Sequence, residues 1–346
     1  MKKCIAILLL LLHGVSVLAC STFLLSRNGQ HVFGRNYDWV SGNGMLMVNA
    51  RGARKAAFNQ PGEPGIEWTS ACGSVTFNQF GKEFPHGGMN EKGLVVELMW
   101  LAGSTYPEAD QRAAMNELQW IQFQLDNCAT VAEVIATDTL VRISRNNAAP
   151  LHYLVADATG AAATIEFVDG KMKVHQGREL PYPVLTNTVY EEAVRGLKNG
   201  DRSDNSVERF TTACRQVQRF QQSGAATPAV PFAFTILNDI AQGDYTKWQI
   251  VYDISNRQVY FETSGNKGRK ALDFSSVDFS CAGTSLALDL QEARTGDVAR
   301  QLSRLSPAQN KALIERSAFE SRSQLRIDPL SIEGAAAFFE RVRCLP

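Results

Sequence analysis

The sequence predicts an α+β protein in which antiparallel sheets stack under helical layers. Three observations point there: short apolar-rich runs of strand length crowd the first hundred residues, a helical period takes over near residue 113, and strands and then helices return after it. The 346 residues, 45% of them hydrophobic, suffice to bury an ordinary core as one large domain or two modest ones. Lys+Arg and Asp+Glu are equal at 35 each. That balance argues against nucleic acid as the main partner, because phosphate binding needs an excess of cations on one face.

Taken in order, residues 1–19 read as a secretory signal. Lys2 and Lys3 make a positive start, 5–12 is an unbroken apolar run, and Val17-Leu18-Ala19 precedes the cut. The run is too short to span a bilayer, and His13 and Gly14 interrupt it. The expectation is a periplasmic or secreted protein, soluble once residues 1–19 are removed. Next, 21–26 and 31–37 flank Arg27-Asn28-Gly29-Gln30, and Asn-Gly between such runs signals a hairpin. The hairpin returns 35–38 to the side of Cys20. Strands follow at 45–49, 73–77 and 94–101, the last after a tight polar turn at 88–93.

From 113 to 137 the period is helical, with Leu118, Ile121, Leu125, Val131, Val134 and Ile135 on apolar faces. Strands return at 152–156, 163–168, 171–175 and 184–186, and helices follow at 189–197, 206–222 and 232–241. A second hairpin, 247–254 with 258–263, turns at Ser255-Asn256-Arg257. The main domain is expected over 20–280. Residues 281–346 read as a helical, polar tail packed on that domain, with no chemical constellation.

Seven cysteines are present: Cys4, Cys20, Cys72, Cys128, Cys214, Cys281 and Cys344. Cys4 leaves with the signal. If Cys20 stays free, the remaining five allow at most two disulfides, and their spacings show neither a dense framework nor a C-x-x-C metal pair. Buried hydrophobic thiols are an equally good reading.

Cleavage after Ala19 makes Cys20 the new N-terminus, and such a cysteine has two uses. It can carry lipid, which would make the chain an anchored binding protein, or its sulfur can stay free for chemistry. The signal region alone leaves both open. A free N-terminal cysteine holds its own base, since an α-amino group titrates at about 7.7–8.0 and can take the thiol proton and return it to a leaving amine. A third reading, a hydrolase with a histidine base, would require His86 or His152 and is not favoured by their settings. Beside the thiol, the Arg35 guanidinium would favour thiolate and the Asp38 carboxylate could orient the amine. The plainer reading of that pair is an Arg–Asp ion pair at a strand end.

The motifs Cys20-Ser21-Thr22-Phe23, GRNYDW at 34–39, GMNEKGL at 88–94, LDNCATVAEV at 125–134, LTN at 185–187, SVERF at 206–210 and TKWQIVYD at 246–253 occur in one order along 20–263. In them the chain resembles the choloylglycine hydrolases and penicillin V acylases, among the N-terminal nucleophile hydrolases. The resemblance implies a four-layer αββα sandwich and hydrolysis of a linear, non-peptide C–N amide in a small-molecule N-acyl substrate, without metal or organic cofactor. It implies Cys20 as nucleophile with Arg35 and Asp38 as its partners, and Arg209 as a further arginine of the polar network. It also implies an oxyanion hole formed by the backbone N–H of Asn90 and the side-chain amide of Asn187. Trp39 and Trp100 resemble a tryptophan pair of the Gram-negative penicillin V acylases, members of which also cleave acyl-homoserine lactones. Medium to long acyl or phenoxyacetyl amides are therefore expected ahead of bile-salt conjugates. The resemblance also suggests a homotetramer.

Overall fold

In a computed structural model of the chain, residues 20–58, 62–146, 149–224, 227–281 and 285–344 are described, and the expected signal at 1–19 lies outside them. Strands here are apolar on both faces, which is what a sheet needs when it is covered twice. Along Val95–Trp100, Val95 and Met99 turn to one core while Val96 and Leu98 turn to another. Two large sheets result.

One sheet runs Val184–Leu185, Ser21–Arg27, Gln30–Asp38, Thr246–Asp253, Gln258–Thr263, Asn266–Asp273 and Gly296–Asp297. The other runs Lys171–Gln176, Ala162–Val168, Leu151–Ala156, Val95–Trp100, Pro85–Asn90, Ser74–Asn78, Met45–Asn49, Leu286–Asp289 and Ser303–Arg304. They face each other through aromatic rings, Phe77 standing 6.3 Å from Tyr252 and 5.5 Å from Phe261 between ring centroids. The helices Tyr190–Asn199, Asn205–Gln222 and Ala229–Asp239 bury Tyr190, Phe210 and Phe234 against the first sheet. The helices Glu117–Asn127 and Val131–Ala136 bury Trp120, Ile121 and Val134 against the second. The molecule is the expected αββα sandwich.

The N-terminal hairpin forms as its sequence dictates, with Asn28 and Gly29 in the left-handed turn at φ 51° and 76°. The single helical stretch expected over 113–137 is instead a short strand, Ala113–Met115, and two helices. The break comes where Thr130 and Glu133 form a capping box that starts the second helix. Asn90 ends the strand Pro85–Asn90 rather than lying within a longer turn.

The tail departs most from expectation. It carries the helices Pro307–Ser321 and Pro329–Phe338, but Leu286–Asp289 also pairs with Met45–Asn49 and so extends the second sheet. A disulfide joins Cys281 to Cys344 across 63 residues, and Arg343–Cys344 pairs with Ala53–Ala56. Cys72, Cys128 and Cys214 are buried free thiols. Among the described residues no helix is long and apolar enough to cross a membrane.

Candidate active site

Cys20 precedes the first strand and falls opposite Tyr37, because Ser21 is in register with Asn36 and Thr22 with Arg35. Its thiol is buried and donates to the Asp38 carbonyl at 3.8 Å. Burial raises this thiol above its ordinary range, the Arg35 guanidinium pulls it back, and the Asp38 carboxyl pushes it up again. A thiol so held is neutral, and attack on a carbonyl needs a proton acceptor beside it.

Arg35 and Asp38 lie three apart on one strand and therefore face opposite sides. They do not pair with each other. Arg35 reaches between the sheets, where Nη1 meets the Glu97 carboxylate and the His86 carbonyl. Tyr252 donates to the same carboxylate at 2.5 Å. Burial lifts Glu97 to about 7, and the guanidinium and phenol hold it from rising further. Glu97 approaches so closely that a Cβ at Gly87 would collide with its carboxylate, so any larger residue there must displace Glu97. Arg35 Nε and Nη2 remain without a hydrogen-bond partner.

Asp38 accepts from the Thr246 hydroxyl at 2.5 Å through Oδ1. Its Oδ2 is buried with no partner. Burial lifts the carboxyl to about 7, against the pull of Thr246, Arg209 and Arg35.

Arg209, on the helix Asn205–Gln222, joins three parts of the site. Nη1 donates to the Cys20 carbonyl at 2.8 Å and to the Ser21 hydroxyl at 2.6 Å, and Nη2 donates to Asn187 Oδ1 at 3.0 Å. That last bond fixes which way the Asn187 amide points. Asn187 follows the strand Val184–Leu185, whose register against the first strand continues toward Cys20. Its Nδ2 donates to the Trp100 carbonyl at 2.8 Å, which leaves the second N–H of that amide for a ligand.

Trp100 supplies a group that the sequence reading did not identify. Leu101 N–H bonds the Pro150 carbonyl, and Leu151 N–H turns instead to the Tyr106 hydroxyl. Trp100 and Leu151 are thus an opposed pair without mutual hydrogen bonds, and the Trp100 N–H and C=O both point away from Leu151–Ala156. The C=O takes Asn187, and the N–H lies on the same side of the strand. Two N–H donors, one from Asn187 and one from Trp100, therefore share one side of the site.

Asn90 is not in this cluster. It sits at the turn joining Pro85–Asn90 to Val95–Trp100, six positions or roughly 20 Å along the strand from Trp100. Its N–H bonds the Leu94 carbonyl, and its side chain caps Leu125 and Cys128 and receives Lys92 N–H and Leu94 N–H. The asparagine is a turn-builder whose donors are all committed. The terminal position of Trp100 on an apolar strand was the available signal for this backbone group. A lone carboxylate in the run VVELMW was the signal for Glu97, since a buried acid demands a partner.

Above Cys20 opens a cavity of about 440 Å³. Tyr37, Asp38, Trp39 and Trp100 border it on the Cys20 side, and Phe58, Phe80 and Phe84 make much of its wall. The Trp39 and Trp100 rings are 6.3 Å apart and both line the space. His86 also lines it, but burial and Arg35 depress its imidazole to about 3, far too low for a useful base toward a neutral thiol. His152 lies behind the site, with Nε2 on the Thr186 carbonyl at 2.6 Å and Nδ1 on Glu166 at 3.1 Å. Among the described residues no three His, Cys, Asp or Glu side chains group as a metal site.

Known proteins resemble this chain in sequence and in fold. Residues 20–235 match the linear amide C–N hydrolases of the choloylglycine hydrolase family. A penicillin V acylase of Pectobacterium atrosepticum is 27% identical, with 66% of this chain and 73% of that protein covered. The structure of a penicillin V acylase from Agrobacterium tumefaciens superimposes with a TM-score of 0.73 at 26% identity, over 83% of this chain and 98% of that one. A conjugated bile acid hydrolase variant from Clostridium perfringens shares the fold at a TM-score of 0.67 and 18% identity, over 80% and 98%. The chain belongs to the choloylglycine hydrolase family of linear amide C–N hydrolases.

Proposed function

We propose that this protein is an exported N-acyl amidase whose mature first residue is Cys20, with the thiol as nucleophile and the α-amino group of the same residue as base. The observation that carries the reading is the Asp38 carboxylate. One of its oxygens is buried without a partner beside a neutral thiol, in a site with no usable histidine. A free α-amine at Cys20 would supply both the missing partner for Asp38 and the missing proton acceptor for the thiol.

In the reaction the amine takes the thiol proton and the sulfur attacks the acyl carbonyl carbon. The negative charge that moves onto oxygen is met by the Asn187 amide and the Trp100 N–H. The resulting ammonium protonates the leaving nitrogen, the C–N bond breaks, and an acyl thioester remains. Water, deprotonated by the same amine, then releases the acid and restores the thiol. Arg209 holds the Cys20 carbonyl and the Asn187 amide in one frame, so nucleophile and oxyanion donor move together.

The Trp39–Trp100 pair and the phenylalanine-lined cavity support an aryl or medium to long alkyl acyl group, as in penicillin V or an acyl-homoserine lactone. Likeness to the two penicillin V acylases supports the same choice. Turnover of penicillin V, a long-chain acyl-homoserine lactone and glycocholate tests it. The expected result is cleavage of one or both of the first two at rates above glycocholate, and cleavage of glycocholate alone would overturn the substrate class.

A further inference from the structure

Part of the cavity wall comes from the tail, beyond the residues that match the family. Ile314 on the first tail helix and Ile332 and Ala335 on the second line the cavity, and the link between those helices closes over it. In that link burial alternates. Leu325 and Ile327 are half-buried, Arg326 and Asp328 are exposed, and all four line the cavity. Over 325–328, which lack regular structure, that alternation is the pattern of an extended span whose apolar side chains are the more deeply set.

Both ends of the span are tied to the site. Ser321, which ends the first helix, accepts from the Trp39 indole N–H at 2.7 Å, and Ser41 donates to Glu320 at 2.6 Å. On the far side Phe338 packs 5.3 Å from Phe58 and 5.8 Å from Phe84, two rings of the cavity wall. The Cys281–Cys344 disulfide then fastens the end of the tail.

We propose that residues 322–328 gauge the acyl chain, with Leu325 and Ile327 meeting its far end and setting the longest group the cleft accepts. This rests on the amidase reading and deepens it. The ligand class is a slim acyl group, linear or ending in one aromatic ring, carried on an amide nitrogen. The tail is thereby a specificity element rather than a structural appendage, and trimming or filling its inward edge moves the length preference without touching the groups around Cys20.

The experiment measures kcat/KM for hexanoyl, octanoyl, decanoyl and dodecanoyl homoserine lactones in the mature wild-type enzyme, in a Leu325→Ala/Ile327→Ala variant and in Ile327→Trp. The alanine variant is expected to raise the dodecanoyl-to-hexanoyl ratio at least about tenfold, and the tryptophan variant to lower it by a similar factor while hexanoyl turnover stays within about threefold. Ratios unmoved in both variants, or all lengths falling in parallel, overturn the gauge. A wild-type enzyme inert toward every acyl amide, penicillin V included, instead contradicts the amidase reading itself, so the two failures are told apart.

Discussion

Two clusters of buried charge lie within this fold, and they are built differently. Between the strand Ala53–Ala56 and the helix Glu117–Asn127, Lys55 sits 2.8 Å from Glu83 and 2.9 Å from Asp126, with Lys82 3.3 Å from Glu83. Two cations meet two carboxylates. Asn49 accepts from Lys82 and the Trp68 indole donates to Asp126, so every charge has an opposite neighbour. Around Cys20 two arginines, Arg35 and Arg209, also face two carboxylates, Glu97 and Asp38, but the pairing is uneven. Glu83 has a lysine within 3.3 Å of each oxygen although neither oxygen makes a hydrogen bond, whereas Asp38 Oδ2 has neither a hydrogen bond nor an ion pair among the described residues, and the thiol is held neutral. The first cluster is self-compensating and acts as a fastening. The second leaves one Asp38 oxygen without a contact partner, which is the arrangement expected where a substrate or a newly exposed terminus completes it.

The largest effect that separates them is on stability. Lys55→Met strands Asp126 in the interior and leaves Glu83 with Lys82 alone, and is expected to cost about 3–5 kcal/mol in urea unfolding, while the turnover of the protein that remains folded is unchanged. A comparable loss of turnover in the folded fraction would mean that the two clusters are one functional unit. Asn187→Ala should do the opposite. It removes one oxyanion donor and is expected to lower kcat by about 10²–10³ with little change in unfolding midpoint. A folded variant with a wild-type rate would remove Asn187 from the reaction.

The most discriminating effect is in pH. Asp38 titrates near 7 in the folded chain against an ordinary 3.8. Below about pH 4 both folded and unfolded states carry the proton, and the group contributes nothing. Between about 4 and 7 the folded state keeps a proton that the unfolded state has lost, so the penalty grows as pH rises and is complete above 7. In a chain that keeps a residue ahead of Cys20, Asp38→Asn should therefore be the more stable form at pH 8, by up to about 4 kcal/mol, and should lose that advantage by pH 4. In the mature protein a neighbouring ammonium would neutralise Asp38 and erase most of the difference. Identical profiles for the mature and extended proteins would mean that the amine and Asp38 do not interact.

What could be read from the sequence follows from how local its causes are. The N-terminal hairpin was legible because Asn28-Gly29 specifies its own turn, and that turn alone returns Arg35 and Asp38 to Cys20. The layers were legible from period, but the break between Asn127 and Val131 was not, because apolar residues continue across it and only the capping pair marks it. Asn90 looked catalytic because it lies in a distinctive motif, yet that motif builds a turn, and the donor we propose instead is a backbone N–H ten residues on whose direction depends on strand pairing. Backbone donors leave no trace in residue identity. The tail was opaque for a related reason. Leu325 and Ile327 are ordinary apolar residues in a polar segment, and they acquire a role only because Ser321 meets Trp39 from 282 positions away. The Glu97 partner of Arg35 was not legible, since nothing local tells an arginine which neighbouring sheet will supply its carboxylate.

The central claim is that the sulfur and the amine that act together belong to the same residue. The most direct test is turnover of N-acyl amide by the chain beginning at Cys20 against the same chain with one alanine ahead of it, with intact mass read after the assay. The account predicts an unmodified Cys20 terminus in the active form and a loss of about 10²–10⁴ in the extended one. Full activity from a chain still carrying that alanine, or an active enzyme with lipid on the Cys20 sulfur, would contradict it.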